Sequence, residues 1–414
     1  MLRSLYSGIS GMKNFQTKLD VIGNNIANVS TVGFKKSRVT FKDAMNQTVS
    51  GASAATTNRG GKNGMQVGLG SSLSTIDNIM DGSSLQTTNR PLDLGIDGDG
   101  FFIVKQGNSQ SYTRAGNFYL DNNGTLVNSD GLKVQAYKYD SAGNLTNNYG
   151  DVTVNVNAVL PPKVTKNIAF SGNLAADAIN GTVFSQQIKT IDSTGNAQSS
   201  TIYFKKNGTT TWDLYSSDPN ATPAPTKLTS LTFDATGKNP TDSPSPTSIS
   251  IPTGTADNPA TPGDESIQSL PVTFDFSNLT QQSGASTAQV TPDGNLEGKL
   301  DSFNVGSSGE ISGVYSNGLI TTLGRIALAK FSNPSGLTKE GGNLFQETVN
   351  SGTPDIDVAG NGRGTIASGS LEMSNVDLSE EFTEMITAQR GFDANTKIIT
   401  TSDEILQELV NLKH

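Results

Sequence analysis

The sequence predicts a mainly β protein with α-helical termini, on three observations. Every seventh residue from Leu371 through Leu378, Met385, Phe392 and Ile399 to Leu406 is apolar, and Leu5, Met12, Leu19 and Ile26 repeat the spacing at the start of the chain. Apolar side chains so spaced line one face of a helix. Between the two stripes the pattern changes to short β-type segments separated by hairpin dipeptides such as Asn123-Gly124 and Asp130-Gly131. Composition agrees: 414 residues with 44 Gly, 16 Pro and only 34% hydrophobic residues suit several small, turn-rich domains better than one large core.

The first helix is expected from residue 2 to about 28, its stripe backed by Leu2, Ile9, Phe15, Ile22 and Val29. Gly8, Gly11 and Gly23 lie inside it, each costing roughly 1 kcal/mol against alanine. Such a helix is marginal alone and should order only when its apolar face is covered. Gly33 supplies a turn after it. Residues 46–72, rich in Ser, Gly, Asn and Thr, read as an extended or flexible connector with little to bury.

From about residue 73 the period is that of strands: 101–104, 132–137, 152–156, 201–205 and 211–215, then 311–315 and 325–331. Ten of the 16 prolines fall between Pro219 and Pro271, which predicts loops and edge strands there. Asp377, three residues before Glu380, is placed to begin the C-terminal helix as a capping box. If the termini pair, the chain must travel outward and return. The β body then nests: a terminal-helix domain (1–34 and 371–414), a connector (35–72), an inner β domain (73–145 and 290–370) and an outer β domain (146–289).

Several function classes are excluded. The net charge of −9 argues against a nucleic-acid or anionic-membrane partner. There is no cysteine for a disulfide, a zinc-thiolate site or a thiol nucleophile. No apolar run approaches the roughly 18 residues that cross a bilayer, and the interrupted N-terminal stripe is no secretory signal. The single histidine is the last residue, His414, so no Ser-His-Asp or Cys-His pair can be built. A two-carboxylate glycosidase survives that count, but its cleft would need aromatics, and the one tryptophan, Trp212, reads as the plug of a small sheet. Asp93, Asp97 and Asp99 depart from calcium-loop order and read as a tight turn before the strand at 101–104. No catalytic, cofactor-binding or metal-binding residue, no cofactor and no small-molecule substrate is assigned.

Stripes at both extreme ends, one sustained over five heptad steps, favour an assembly surface over two ordinary core faces. Its candidate residues are Leu5, Ile9, Met12, Phe15, Leu19, Ile22 and Ile26 with Leu378, Phe382, Met385, Phe392, Ile399, Leu406 and Val410. Their occupant is a second copy of the chain.

The letters at both ends carry a resemblance. Residues 20–36, DVIGNNIANVSTVGFKK, look like the N-terminal signature of the bacterial flagellar rod and hook proteins, and 371–393, LEMSNVDLSEEFTEMITAQRGFD, look like their C-terminal signature. The stretches at 90–104 and 112–131 resemble the family more loosely. The region at 146–289 makes the chain resemble hook subunits, since rod subunits have little or no outer domain. The resemblance implies terminal helices lining a channel and two β domains at increasing radius. It implies export, unfolded, through the flagellar type III apparatus without a cleaved signal peptide. It also implies growth outside the cell into a helical homopolymer, a curved tubular universal joint carrying motor torque from rod to filament. The implied neighbours are the distal rod protein, the hook cap and the hook–filament junction proteins. Two alternatives stand beside it: a distal rod protein, against which length counts, and a secreted β-rich carbohydrate-binding or adhesive protein, which would need no helices at its ends.

Overall fold

The computed structural model describes residues 2–140, 143–155, 159–192, 194–222, 225, 227–238, 247–252 and 269–411. Most of the proline-rich stretch and His414 therefore lie outside the described residues. The chain folds as two compact units, one of residues 1–155, 303–313 and 321–414, the other of 156–302 and 314–320.

The first unit carries both terminal helices, α1 (Leu2–Ala27) and α2 (Leu378–Asn411). After α1, strand Ser37–Asp43 pairs antiparallel with Ser71–Asn78. Asn46–Ser50 pairs with Met65–Gly68, and the bridges Ser53–Lys62 and Thr56–Arg59 continue the ladder. The stretch read as an extended or flexible connector is thus an arm of paired strands. Its composition reveals how little it buries, and both strands of the Asn46–Ser50 pair are exposed throughout. Composition does not reveal main-chain pairing, which needs no apolar side chain.

In the β body of this unit, Phe101–Gln106 forms a hairpin with Ser109–Thr113, which Leu344–Gln346 extends on its other side. Strand Ile320–Lys330 lies against Phe101–Gln106, Lys133–Tyr139 and Asp355–Val358. The core between them is aromatic: Phe331 meets Phe101 at 5.9 Å and Tyr112 at 4.8 Å, both edge to face. Nearer the helices, Leu94–Asp97 pairs with Thr365–Ser368 and Leu85–Thr87 with Ser370–Glu372. At each step a strand leaving α1 is bonded to one returning to α2. Leu371 is on the last of these strands, so its heptad spacing from Leu378 is fortuitous.

The strand expected at 152–156 is displaced. The observed strand is Leu145–Asp151, in antiparallel register with Lys133–Tyr139. Val152 and Val154 follow it and are buried, which accounts for the alternation in the sequence. The hairpin holds 146–155, grouped with the outer region by the sequence reading, in the first unit.

The second unit has two four-stranded sheets. One is an antiparallel meander of Val183–Ile191, Ala197–Lys206, Thr211–Tyr215 and Lys227–Thr232. The other sets Asn167–Ala175 between Ser269–Gln282, to which it is parallel, and Gln289–Pro292. Thr247–Pro252, a described piece of the proline-rich stretch, is an edge strand of this sheet, where a missing N–H donor costs no ladder bond. Both sheets bury their inner faces in one core containing Trp212, Phe170, Phe204, Phe274 and Leu279.

Candidate assembly surface of the terminal helices

The two helices pack antiparallel, as a sequence of contacts shows. Asn25 Nδ2 donates to Glu381 Oε2 at 3.2 Å, Lys18 is ion-paired with Glu384, and Thr396 Oγ1 lies 3.8 Å from Met12 Sδ. The innermost positions are small. A methyl group built on Gly391 would lie 2.5 Å from the Phe15 ring, and one on Gly11 would lie 2.7 Å from Asn395 Oδ1. Each glycine is therefore a hole that receives a side chain of the partner helix, and the pair is set in one register.

This seam differs from the apolar stripes. On α2 its inner edge is Glu381, Ala388, Asn395 and Ser402, at seven-residue steps, with Ala388 wholly buried. On α1 the matching series is Gly11, Lys18 and Asn25, also seven apart. Sequence reasoning missed these because it followed apolar residues. The signal that could have found them is a second heptad of small and polar residues in each helix.

The candidate stripe residues divide accordingly. Ile22 is buried; Leu5, Met12, Phe15, Leu19 and Ile26 are half-buried, and so are Met385, Phe392, Ile399 and Leu406. Ile9, Leu378, Phe382 (46% exposed) and Val410 (63%) face outward. Beside them Tyr6, Ile386, Ile398 and Ile405, absent from the candidate set, are exposed as well. The structure brings Met12, Phe15 and Ile399 to the seam and leaves Ile9, Leu378, Phe382 and Val410 uncovered. Burying such a side chain is worth about 1.5–3 kcal/mol each.

At its start α2 is capped by Asp377, whose Oδ1 accepts the Ser379 N–H at 2.8 Å and the Glu380 N–H at 3.4 Å. The capping box is only half made, because the Glu380 carboxylate takes Lys36 at 2.7 Å instead of turning back. Glu381 itself is 5% exposed. Burial raises its pKa above the ordinary glutamate value, opposed by the Asn25 hydrogen bond and by Lys36.

Where the helices meet the β body, both chain ends converge on one buried carboxylate. Lys35 Nζ donates to Glu372 Oε1 at 2.6 Å and to the Asp81 carbonyl at 2.7 Å, and Arg114 Nη1 donates to Glu372 Oε2 at 3.2 Å. Lys35 and Glu372 are fully buried. Burial lowers the Lys35 pKa, and Glu372 opposes the shift. Removing one partner of such a buried pair costs about 3–5 kcal/mol, so the triad clamps residue 35, the 81–83 turn and residue 372 together. Among the described residues no cluster of His, Asp and Glu is arranged to hold a metal ion, and no helix is long and apolar enough to cross a membrane.

Comparison with known proteins matches the chain along most of its length. Residues 5–35 fit the model described as flagella basal body rod protein, and 367–412 the flagellar basal body rod FlgEFG protein C-terminal model. Residues 95–176 fit the flagellar hook protein FlgE/F/G D1 domain, and 172–295 the flagellar basal body protein FlaE D2 domain. Flagellar hook protein FlgE of Borreliella burgdorferi is 39% identical over the whole of both chains, and that of Escherichia coli strain K12 is 34% identical over 98% of each. Flagellar basal-body rod protein FlgG of Bacillus subtilis is 40% identical over the whole of both. The crystal structure of Helicobacter pylori flagellar hook protein FlgE2, at 14% identity, superposes with a TM-score of 0.52 over 70% of this chain and all of that one, a likeness of fold. Full-length identities of this size are a family relationship: this chain belongs to the flagellar hook proteins.

Proposed function

We propose that the chain is the structural subunit of the bacterial flagellar hook, polymerising through its terminal helices into a curved tube that transmits motor torque from rod to filament. The observation that carries the mechanism is the division of labour on α1 and α2. Within the subunit the helices meet through glycine, alanine and polar side chains together with Met12, Phe15 and Ile399, while Ile9, Leu378, Phe382, Ile386 and Val410 stay exposed. A second copy of the chain is the occupant of that outward face, since in a homopolymer the neighbouring surface belongs to an identical subunit. Apolar surface left open by each subunit is then covered by its neighbours, and marginal helices gain order on assembly.

In this reading the terminal helices of the first unit hold the tube together and the second unit supplies further contacts between subunits. Polar, small-residue surfaces there suit wet contacts that can be exchanged as the tube turns through its bend. The distal rod protein, the hook cap and the hook–filament junction proteins are its neighbours along the axis. The subunit leaves the cell unfolded through the flagellar type III apparatus and works outside the cell. It has no catalytic role. A distal rod reading keeps one specific support, the relative named as a rod protein in Bacillus subtilis.

Phe382→Asp tests the surface. Phe382 is 46% exposed, so the substitution leaves the folded subunit's melting temperature unchanged, while at an interface it places an unpaired carboxylate in apolar surroundings. Electron micrographs of the wild type should show short curved tubes, and the variant should show none. Straight wild-type tubes would favour the rod, and curved tubes from the variant would remove Phe382 from the interface.

A further inference from the structure

Three glutamates on the first two turns of α2 face the N-terminal part of the chain, and they are not treated alike. Glu380 is bonded to Lys36 at 2.7 Å and Glu384 is ion-paired with Lys18. Glu381, between them, is the most buried of the three and has no ion-pair partner among the described residues. Its hydrogen bond is to the Asn25 amide at 3.2 Å. Asn25 is fixed in turn, because its Nδ2 donates to the Ser37 carbonyl at 2.9 Å and its Oδ1 accepts the Ser37 N–H at 3.0 Å. An ionised carboxylate offers about four acceptor sites, and an amide donor fills one of them. Beside the group lies a cavity of about 240 Å³ lined by Lys18, Ile22, Asn25, Val39 and Glu381 among others, which gives solvent protons a path to it.

The charges facing Glu381 do not offset this burial. From α1 there is Lys18, taken by Glu384; from the segment leading into the strand Ser37–Asp43 there is Lys36, taken by Glu380. Arg38 lines the same cavity and lies 3.7 Å from Asp77 of the paired strand. On α2 itself, Glu380 and Glu384 repel a charge at 381.

We propose that Glu381 is a proton-operated latch between the two terminal helices: neutral, it sits in the junction of α1, α2 and residue 37 without the cost of a buried unpaired charge, and ionised, that charge outweighs the stronger Asn25 bond and loosens the junction. The inference rests on the reading of these helices as the assembly surface only for its consequence, a tube that resists dissociation better in mildly acid surroundings than in alkaline ones. The direction follows from linkage. A carboxyl whose folded-state pKa lies above its unfolded value contributes stability that is complete below the unfolded value and lost as pH rises through the folded one.

The test is amide hydrogen exchange on the full chain, read as protection factors for residues 18–27 and 378–388. It compares the wild type with Glu381→Gln, Glu381→Met and Glu380→Gln. Wild-type protection should rise several-fold between about pH 8 and about pH 5, by up to about tenfold for each pK unit separating the folded and unfolded states. Both neutral variants at 381 should be protected at the higher pH and lack the rise, and Glu380→Gln should keep it. Flat wild-type protection overturns the latch, as does a wild-type slope in Glu381→Gln or loss of protection in both neutral variants. Electron microscopy of the same samples separates the two readings: pH-dependent protection without tubes sinks the assembly reading alone, and tubes whose helix protection ignores pH sink the latch alone.

Discussion

At Gly391 an added methyl group would lie 2.5 Å from Cζ of Phe15 and 2.7 Å from Cε1, whereas at Gly23 it would meet nothing within 4 Å. The same substitution should therefore act in opposite directions at the two sites. Gly23→Ala should stabilise α1 by about 1 kcal/mol through helix propensity. Gly391→Ala gains the same propensity but must displace a ring, which costs about 1–3 kcal/mol in a packed site. The helix signal in circular dichroism should melt at a higher temperature in the first variant and a lower one in the second; a rise in both would show that the seam has slack. These two glycines also mark what could be read from the sequence. That both ends are helical was legible, because Leu5, Met12, Leu19 and Met385, Phe392, Ile399 repeat with helical spacing. Which faces meet was not, because a glycine is informative only beside the side chain it admits. Phe15 and Gly391 are brought together by the fold and not by spacing.

Among elements, the hairpins were the most legible part of the β body. Asn207-Gly208 separates Ala197–Lys206 from Thr211–Tyr215, which pair antiparallel across it, although neither residue takes the positive φ of a two-residue hairpin turn and the loop is longer. The arm at residues 37–78 was not legible, since its strands keep few apolar residues on a buried face and are held by main-chain pairing, which side-chain composition does not reveal. For α2 the sequence named the right start. Asp377 satisfies two first-turn N–H groups, so Asp377→Ala should cost about 1 kcal/mol of helix stability. Because the cap acts locally, exchange of the amides of residues 379–381 should quicken most, with a smaller effect toward Asn411. Uniform acceleration along α2 would mean that the helix opens as one block and that its first turn is not held by the cap.

The whole molecule divides its stability between two cores. Phe101, Tyr112 and Phe331 belong to the first unit, and Trp212, Phe170 and Phe204 to the second. Trp212 is the only tryptophan, so indole fluorescence reports the second unit alone, while the helix signal comes from α1 and α2 of the first. Two probes that follow separate cores should give separate transitions, since each core is closed on its own side chains. Trp212 is fully buried, and its replacement by alanine removes an entire ring system from packed surroundings at a cost of about 3–5 kcal/mol. Trp212→Phe keeps an aromatic filler and should cost less. In differential scanning calorimetry, Trp212→Ala should lower or abolish one transition and leave the other, identified by its helix signal, where it was. If both transitions fell together, the two units would be one cooperative block. A subunit that melts as a single block could not rearrange its second unit while the terminal helices hold the tube, and the universal-joint mechanism would need another source of compliance.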